Sequence, residues 1–274
     1  MQAFRGSTAA ITGAGSGIGR ALAEQLAAAG CRLFLSDVEE GGLAALRAEL
    51  GPDVDCATAI VDVADRAAVQ RWADEVSAAV DGLDLLVNNA GVTLVAPATA
   101  TPRDDFEWLM NINFWGVVNG TEAFLPLLQR GAGGTLVNMA SVFGMIAVPT
   151  QAAYNASKFA VRGFTEALRQ DLALAGSPVR VCCVQPGGIA TNIARNARNS
   201  DAGVTTEELD AAFQQLARTS AEKAARIILR GAARGRARIL IGADARLIDW
   251  LVRLLPVSYP RVMRLLGDPQ ISLP

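Results

Sequence analysis

The stretch Thr12-Gly13-Ala14-Gly15-Ser16-Gly17-Ile18-Gly19 decides how this chain is interpreted. The apolar run Thr8 to Thr12 predicts a strand before it, and the pattern from about Ile18 to Ala29 predicts a helix after it. Glycines let the backbone pass close to a pyrophosphate, and a helix N-terminus offers free N–H groups and a favourable dipole. The turn therefore predicts a dinucleotide-binding site. A merely tight strand-to-helix turn is the alternative.

The spacing of the glycines differs from two other phosphate-binding motifs. Arg20 stands where the strict GxGxxG fingerprint has its last glycine, so the spacing is Gly13-xxx-Gly17-x-Gly19. No Lys-Ser or Lys-Thr pair follows, which excludes the loop of nucleoside triphosphatases.

An acidic residue follows at the expected distance. Asp37 ends the second predicted strand, eighteen residues past Gly19. A carboxylate at that place accepts hydrogen bonds from the hydroxyls of the adenosine ribose and repels a 2′-phosphate. We therefore expect NAD as the cofactor and NADP as less favoured. Asp37 as a simple turn cap is the alternative.

Short apolar runs alternate with helical patterns along the whole chain. Such alternation predicts an α/β fold with a doubly wound, seven-stranded parallel sheet of the Rossmann type. No linker interrupts it, so one domain is expected over residues 1–242, with a polar, strand-free substrate lid near 191–215. Residues 243–274 are expected as an apolar extension of that domain. The predicted strands are 8–12, 31–36, 57–61, 83–88, 135–139, 179–184 and 238–241, and the predicted helices are about 18–29, 43–50, 67–80, 104–128, 154–175 and 220–234.

Composition removes several functional classes. The formal charge of −2 gives no basic footprint for nucleic acid. The chain has no histidine, which excludes Ser-His-Asp and Cys-His catalysis. None of the four cysteines has metal-ligand spacing, so no metal site is expected. Few cysteines and no export signal or membrane-spanning run favour a cytoplasmic enzyme.

The residues that carry proton chemistry are Tyr154 and Lys158, four positions apart at the start of a predicted helix and therefore on one face. Ser141 precedes them by thirteen residues, at the exit of a strand. Together with the glycine turn, these residues resemble the short-chain dehydrogenase/reductase family in its single-domain form of about 250 residues. The resemblance covers residues 7 to 242.

Further motifs recur in the order that the family has them. Asn88-Asn89-Ala90-Gly91 matches its NNAG segment, Asn113 falls on its catalytic asparagine, and Pro186-Gly187 through Thr191 resembles its PGxxxT segment beside the nicotinamide. The resemblance implies that the catalytic residues are Asn113, Ser141, Tyr154 and Lys158. It implies that the cofactor-binding residues are Gly13, Ser16, Gly17, Ile18, Gly19, Asp37, Asp62, Val63, Asn89, Ala90, Gly91, Tyr154, Lys158, Pro186, Gly187, Ile189 and Thr191.

The family's chemistry assigns a role to each catalytic residue. Tyr154 is the expected general acid–base, with a pKa lowered by the Lys158 ammonium and the oxidised nicotinamide. The resemblance also implies that Lys158 binds the nicotinamide ribose. Ser141 steadies the substrate oxygen, and Asn113 holds a water that links Lys158 to solvent. Three of these residues also have a simpler explanation: Ser141 as a helix or turn cap, Asn113 as a partner of helix backbone, and Lys158 as a solvated surface lysine.

The side chains expected around the substrate are apolar, which favours an uncharged, lipophilic alcohol or ketone. They are Val92, Leu94, Val142, Phe143, Met145, Val148 and Ile189. The expected function is hydride transfer between NAD(H) and a secondary alcohol or ketone. A non-catalytic NAD(H) sensor and a lyase or epimerase on the same scaffold are the alternatives.

The tail from residue 243 has apolar residues at helical spacing, punctuated by arginines. We expect it to cover the substrate cleft or to pack against a partner subunit. Contact with a membrane surface, as basic amphipathic helices make, is the less favoured alternative. A homodimer or homotetramer, formed through the helices near 104–128 and 154–175, is expected by analogy with the family.

Overall fold

A computed structural model describes residues 4–130, 132–191, 197–199 and 219–265. The predicted lid near 191–215 therefore lies outside the described residues, apart from 191 and 197–199. The strands are β1 Thr8–Thr12, β2 Arg32–Asp37, β3 Cys56–Ile60, β4 Leu85–Asn88, β5 Leu94–Val95, β6 Thr135–Met139, β7 Arg180–Pro186, β8 Ile189–Ala190, β9 Arg198–Asn199, β10 Thr219–Ser220 and β11 Arg238–Ile241. The helices are α1 Gly17–Ala27, α2 Glu40–Leu50, α3 Arg66–Ala79, α4 Arg103–Met110, α5 Gly116–Leu128, α6 Ala152–Leu174, α7 Ala221–Ala233, α8 Ala243–Leu254 and α9 Tyr259–Leu265.

Seven strands form one sheet in the order β11-β7-β6-β4-β1-β2-β3, and every neighbouring pair is parallel. The chain moves outward from β1 to β3 and then returns past β1 to β4, which creates the switch point where such folds bind ligands. The predicted doubly wound, seven-stranded Rossmann-type sheet is thus confirmed. The predicted and observed strand ends differ by a few residues.

Both faces of the central strands are covered, which is why those strands are mainly apolar, whereas the edge strand β3 is partly exposed. Ile11 and Leu35 lie in the core on one face, together with residues of α1 and α7. Ala10 and Phe34 lie in the core on the other face, together with residues of α3 and α5. Successive strand residues point to opposite faces, so an unbroken apolar run fits a sheet that is buried on both sides.

The helix predicted over 104–128 is not continuous. A π-helical turn, Asn111–Trp115, lies between α4 and α5, and the N–H of Gly116 donates to the carbonyl of Asn111. The side chain of Asn113, buried inside this turn, bonds to the backbone of Val92 instead of to the helix. The extra residue in the turn places Asn113 toward the exit of β4. Helical periodicity alone does not register such an insertion.

The expectation that segment 191–215 lacks strands is wrong at its described part. Arg198–Asn199 forms the short strand β9, which pairs with β5. The Arg198 guanidinium is also 2.7 Å from Asp105 and lies 3.9 Å above the Trp108 ring. A two-residue strand held by a partner about a hundred positions away has no local sequence pattern, so it escaped prediction.

Candidate active site

The glycine turn between β1 and α1 has no space for side chains. Gly13 and Gly17 have φ angles of 65° and 53°, a conformation that favours glycine. A Cβ at Gly13 would lie 2.8 Å from the Cα of Ala90, and one at Gly19 would collide with the carbonyl oxygen of Gly13. The turn is a cradle of bare backbone, which is the shape that a pyrophosphate requires.

The N-terminus of α1 opens into this cradle. Ser16 is the N-cap, is exposed, and makes no side-chain capping hydrogen bond. Ile18 follows in the first turn of the helix, where N–H groups have no partner within the helix. Thr191 comes within 3.3 Å of the place where a Cβ of Gly17 would be. The end of the 186–191 segment therefore lies beside the predicted phosphate site.

Asn89 fixes the cradle to the neighbouring strand. Its amide donates to the carbonyls of Thr12 and Gly13, both at 3.0 Å. The hydroxyl of Thr12 accepts from the N–H groups of Asn89, at 3.0 Å, and Ala90, at 3.1 Å. Asn89 and Ala90 thus hold the backbone of the turn in place beside the predicted cofactor site.

Asp37 lies at the end of β2 and holds the same turn. One carboxylate oxygen accepts from the N–H of Gly15 at 2.8 Å, and the other accepts from the N–H of Glu39 at 3.0 Å. The capping alternative is therefore correct as a description of these contacts. A carboxylate oxygen has two lone pairs, so both oxygens can still accept from a ribose hydroxyl.

Asp62 and Val63, which the family resemblance places at the adenine, differ in exposure. Asp62 is exposed, and its carboxylate accepts from the N–H of Ala64 at 2.9 Å. Val63 is buried, and its side chain lies against Gly116, where a Cβ would come within 2.7 Å. Its carbonyl accepts from the Asn119 amide at 2.9 Å. Asp62 is therefore available to a ligand, whereas Val63 anchors α5.

Tyr154, Ser141 and Lys158 are brought together at the carboxyl ends of the strands. Tyr154, half-buried, shares a hydrogen bond with the hydroxyl of Ser141, and its ring meets that of Phe143 edge-on at 5.9 Å. Ser141 also accepts from the N–H of Phe143 at 3.1 Å, so it is a cap as well as a partner of the tyrosine. The Lys158 ammonium lies 5.5 Å from the centre of the Tyr154 ring.

Burial controls the pKa of both groups. It raises the pKa of Tyr154 to about 12, against a smaller lowering by the hydrogen bond with Ser141. It lowers the pKa of Lys158 to about 8. The expectation that the Lys158 ammonium lowers the pKa of Tyr154 is thus wrong for the protein without cofactor, because desolvation of the phenolate outweighs the other contributions. A positive charge at the nicotinamide acts in the opposite direction.

Lys158 is a buried residue, and the alternative of a solvated lysine is wrong. Its ammonium donates to the carbonyl of Met139 at 3.1 Å. An ammonium has three donors, so further partners can bind it. It also lies 3.5 Å from the place of a Cβ at Gly91. Gly91 therefore keeps the approach to Lys158 open.

Asn113 lies on the other side of Gly91. Its Oδ1 accepts from the N–H of Val92 at 2.8 Å, and its Nδ2 donates to the carbonyl of Val92 at 2.9 Å and to the hydroxyl of Ser157 at 3.2 Å. Ser157 in turn donates to the carbonyl of Tyr154 at 2.8 Å. These contacts connect the π turn, the exit of β4 and the first turn of α6 around the proposed catalytic residues.

Sequence reasoning missed the role of Asn155. Its amide donates to the carbonyls of Phe143, at 2.9 Å, and Ile146, at 2.8 Å, and its Oδ1 accepts from the N–H of Val148 at 3.1 Å. This single side chain holds the loop that follows Ser141. The available signal was an amide directly after Tyr154, in a motif where only Tyr154 and Lys158 had been assigned roles.

Asp244 was missed as well. Its carboxylate accepts from the N–H of Gly188 at 2.8 Å, and a Cβ at Gly187 would collide with it. Pro186 and Gly187 form the predicted nicotinamide segment, and Ile189 beyond them starts β8. The first turn of α8 therefore holds this segment in place. No local motif links Asp244 to Gly188, because 56 positions separate them.

The predicted apolar substrate wall is largely packed by the tail. Val142, Phe143, Met145 and Val148 are buried in one cluster with Ala245, Ile248 and Met263 of α8 and α9. The N–H of Ala147 donates to the Tyr259 hydroxyl at 2.8 Å. Leu94 is buried in a second cluster beside Tyr154, and Val92 packs against it. The prediction that the tail covers the substrate side thus agrees with these contacts.

The sequence of this chain is similar to those of known oxidoreductases. Residues 7–202 match the family described as short chain dehydrogenase. The chain belongs to the short-chain dehydrogenase/reductase family. It is 46% identical over 266 residues to SadH of Mycobacterium tuberculosis, whose name assigns it provisionally as an oxidoreductase, with 96% of each chain covered. It is 40% identical over 221 residues to sulfoacetaldehyde reductase 2 of Chromohalobacter salexigens, with 80% of this chain and 85% of that protein covered.

A solved member of the family has the same fold. The crystal structure of a short-chain dehydrogenase/reductase from Burkholderia phymatum in complex with NAD matches with a TM-score of 0.82 and 34% identity. The match covers 93% of this chain and 96% of that one. The predicted family and its oxidoreductase class are thus confirmed, and the family uses NAD or NADP.

Proposed function

We propose that this protein interconverts an uncharged, lipophilic secondary alcohol and its ketone with NAD(H), and that Tyr154 is the general acid–base. The observation that carries the proposal is the grouping of a phenol, a hydroxyl and a buried ammonium beside a side-chain-free glycine cradle. The cradle fits a dinucleotide, because its bare backbone and the open N-terminus of α1 suit a pyrophosphate. The nicotinamide, when bound, gives or takes the hydride.

The residues of the chain manage one proton and one oxygen. In ketone reduction, the Tyr154 phenol donates its proton to the carbonyl oxygen, while Ser141 donates a hydrogen bond to the same oxygen as negative charge develops. In alcohol oxidation, the Tyr154 phenolate takes the proton. Lys158 uses a remaining donor to hold the nicotinamide ribose, and the positive charge of the oxidised ring favours the phenolate.

The proton that Tyr154 takes up must reach solvent. We propose that a water beside Asn113 connects Lys158 to the outside. The support is that Asn113 Oδ1 and Lys158 Nζ lie 3.2 and 3.5 Å from one point, the place of a Cβ at Gly91. The side chain of Asn113 already bonds to Val92 and Ser157. Its role in the relay is therefore to position the π turn and the water path.

NAD is proposed over NADP because the Asp37 carboxylate is held in place at the end of β2. A 2′-phosphate at ~4 Å from it would be disfavoured by at most about 4 kcal/mol at an effective dielectric of 20. The NAD complex of the Burkholderia phymatum relative supports the same choice. Asp37→Asn removes the charge and keeps the size of the side chain, but its NH₂ group leaves one of the two backbone N–H groups, that of Gly15 or Glu39, without an acceptor. We expect the ratio of kcat/KM for NAD to that for NADP to fall about tenfold or more. An unchanged ratio contradicts this role of Asp37.

The substrate class is proposed from the apolar surroundings of Tyr154. Tyr154 packs against hydrophobic clusters that contain Phe143, Leu94 and Ala153. The Lys158 ammonium, also near its ring, is assigned to the cofactor ribose. The named relatives do not fix the substrate, since one of them reduces a sulfonated aldehyde according to its name. We also propose that α8 and α9 work as part of the catalytic domain, since they contact its loops directly.

Two further expectations are kept as proposals. A homodimer or homotetramer through the faces of α4 to α6 is supported by the exposed rings of Trp115 and Phe159 on that part of the surface. We propose that the protein resides in a reducing compartment, the cytoplasm, because its four cysteines are all free thiols. No described helix is long and apolar enough to span a membrane.

The proposal is tested with the purified protein and a panel of secondary alcohols and ketones that differ in size and charge. Absorbance of the reduced nicotinamide is followed with NAD(H) and with NADP(H). We expect turnover with uncharged, lipophilic members of the panel and preference for NAD(H). Binding of NADH without turnover of any member supports the sensor alternative instead. Conversion of a substrate without net change in cofactor absorbance supports the lyase or epimerase.

A further inference from the structure

Helix α8 is apolar on two sides, and among the described residues only one of these sides is packed against the rest of the protein. Ala245 and Ile248 are buried against the loop that follows Ser141. Leu247, Trp250 and Leu254 are exposed to 62%, 66% and 68%. Their spacing of three and four residues places them on one side of the helix. We call these three residues the outer stripe.

Apolar exposure continues beyond the helix. Val257, in the turn after α8, and Leu265, at the end of α9, are 88% and 87% exposed. Single exposed apolar side chains are normal on a protein surface, whereas groups of large ones, as found here within residues 247–265, mark binding surfaces. We therefore expect the outer stripe, together with Val257 and Leu265, to bind another molecule.

The charges of the same segment indicate what occupies it. Arg246, Arg253, Arg261 and Arg264 are exposed along α8 and α9. The two aspartates of the segment are engaged: Asp244 holds the N–H of Gly188, and Asp249 is shared between Arg238 and Arg253. Residues 243–265 therefore carry four arginines against two aspartates, whereas the whole chain has a charge of −2. The apolar surface has a basic border on an otherwise acidic protein.

We propose that this surface docks onto membranes that contain anionic phospholipids. The outer stripe enters the boundary between headgroups and acyl chains, and the arginines bind the phosphates. Trp250 lies in the centre of the stripe, and tryptophan is enriched at membrane–water interfaces. A second copy is a poorer occupant, because a twofold contact through this surface brings the arginines of both copies together.

The proposal is tested by flotation of the full-length protein with lipid vesicles. One set contains phosphatidylcholine alone, and the other contains phosphatidylcholine and phosphatidylglycerol in equal parts. We expect the protein to float with the anionic vesicles, and binding to weaken as salt is raised. The variants Arg246→Gln and Arg261→Gln should each weaken the binding about fivefold, the loss expected for one basic residue at such a surface.

The double variant Trp250→Glu/Leu254→Glu removes the centre of the outer stripe at positions that are exposed, so the fold is preserved. We expect it to lose at least about tenfold in vesicle binding. The control is Leu174→Glu, a leucine at the end of α6 that is even more exposed. This control should float like the wild type, and circular dichroism should be the same for all variants.

Other results overturn the proposal. One is a wild-type protein that floats with neither vesicle set. If the oligomeric mass in light scattering is then lower for Trp250→Glu/Leu254→Glu than for the wild type, a second copy is the occupant of the outer stripe. Another is a full-length protein that does not float while a chain ending at Leu265 does, which identifies residues 266–274 as the cover of the stripe. Equal weakening by Leu174→Glu shows that the effect is not specific to α8.

Discussion

The proposed cofactor side, around the glycine turn, and the proposed substrate side, around the loop after Ser141, are held together by different kinds of contact. The turn over residues 12–19 is fixed by its own glycines and by short contacts from Asn89 and Asp37, which end neighbouring strands. The loop that follows Ser141 is held by Asn155 and by the hydroxyl of Tyr259, 112 positions after its partner Ala147. A cofactor site made of local geometry is recognisable in a short motif. A substrate site made of distant contacts is recognisable only in the folded chain.

The largest expected effect separates the two tyrosines of the chain, one on each side of this comparison. Tyr154→Phe removes the proton donor and should lower kcat about a thousandfold, whereas NADH still binds, as measured by its fluorescence. Tyr259→Phe removes the same hydroxyl from the tail and should leave kcat within a few-fold while raising KM for the substrate. Similar losses of kcat in both variants would show that the two hydroxyls do not have different roles.

A side chain added to the glycine turn should reduce both stability and cofactor binding. Gly19→Ala places a Cβ against the carbonyl oxygen of Gly13, so we expect a loss of about 1–3 kcal/mol in stability. We also expect loss of the rise in melting temperature that NAD gives the wild type. The control is Gly41→Ala, since a Cβ at this exposed position in α2 meets nothing within 4 Å. An NAD-dependent rise that persists in Gly19→Ala would contradict the cradle.

The pH dependence of kcat should differ between the two directions of the reaction. Burial raises the pKa of Tyr154 to about 12, so the phenol dominates at neutral pH. Ketone reduction needs the phenol and should stay constant through neutral pH. Alcohol oxidation needs the phenolate, so kcat should rise with pH, by up to about tenfold per unit while the phenol still dominates. A kcat for oxidation that does not change between about pH 6 and 9 would exclude Tyr154 as the titrating base.

The smallest expected effect concerns the contact that links the two sides. Asp244→Ala leaves the N–H of Gly188 without its partner, a loss of about 1–3 kcal/mol. We expect KM for NADH to rise about tenfold with a smaller change in kcat, because Asp244 positions the segment and touches no reacting atom. Asp244→Asn keeps an acceptor oxygen and should recover most of the loss. Equal values of KM in all three proteins would mean that the segment does not depend on α8.

The fold was largely predictable because the period of apolar residues follows directly from secondary structure. Continuous apolar runs such as 85–88 predicted buried strands, and all seven strands of the sheet were found. The π turn at Asn111–Trp115 was not predictable, since it depends on a contact between Asn113 and Val92 across 21 positions. The short strand β9 depends on β5 in the same way.

The sequence identified those residues of the candidate site whose side-chain chemistry is required. It did not identify the residues that only hold other parts of the site in position. The glycines, Ser141, Tyr154 and Lys158 were identified because few residue types can replace them. Asn155 and Asp244 hold loops through hydrogen bonds with backbone groups. Every residue has such groups, so the sequence does not indicate which of them are bound. The pKa of Tyr154 was misjudged because the degree of burial is a property of the folded chain.

The central claim is that Tyr154 and Lys158 act on a nicotinamide laid along the carboxyl ends of the strands. A crystal structure of the complex with NAD⁺ and a ketone inhibitor tests it most directly. We predict that the carbonyl oxygen lies within hydrogen-bond distance, about 3 Å, of both Tyr154 and Ser141, and that Lys158 donates to the nicotinamide ribose. The carbonyl carbon should lie about 3.5 Å from the nicotinamide ring. A ring bound away from Tyr154, with Lys158 still bonded only to Met139, would contradict the account.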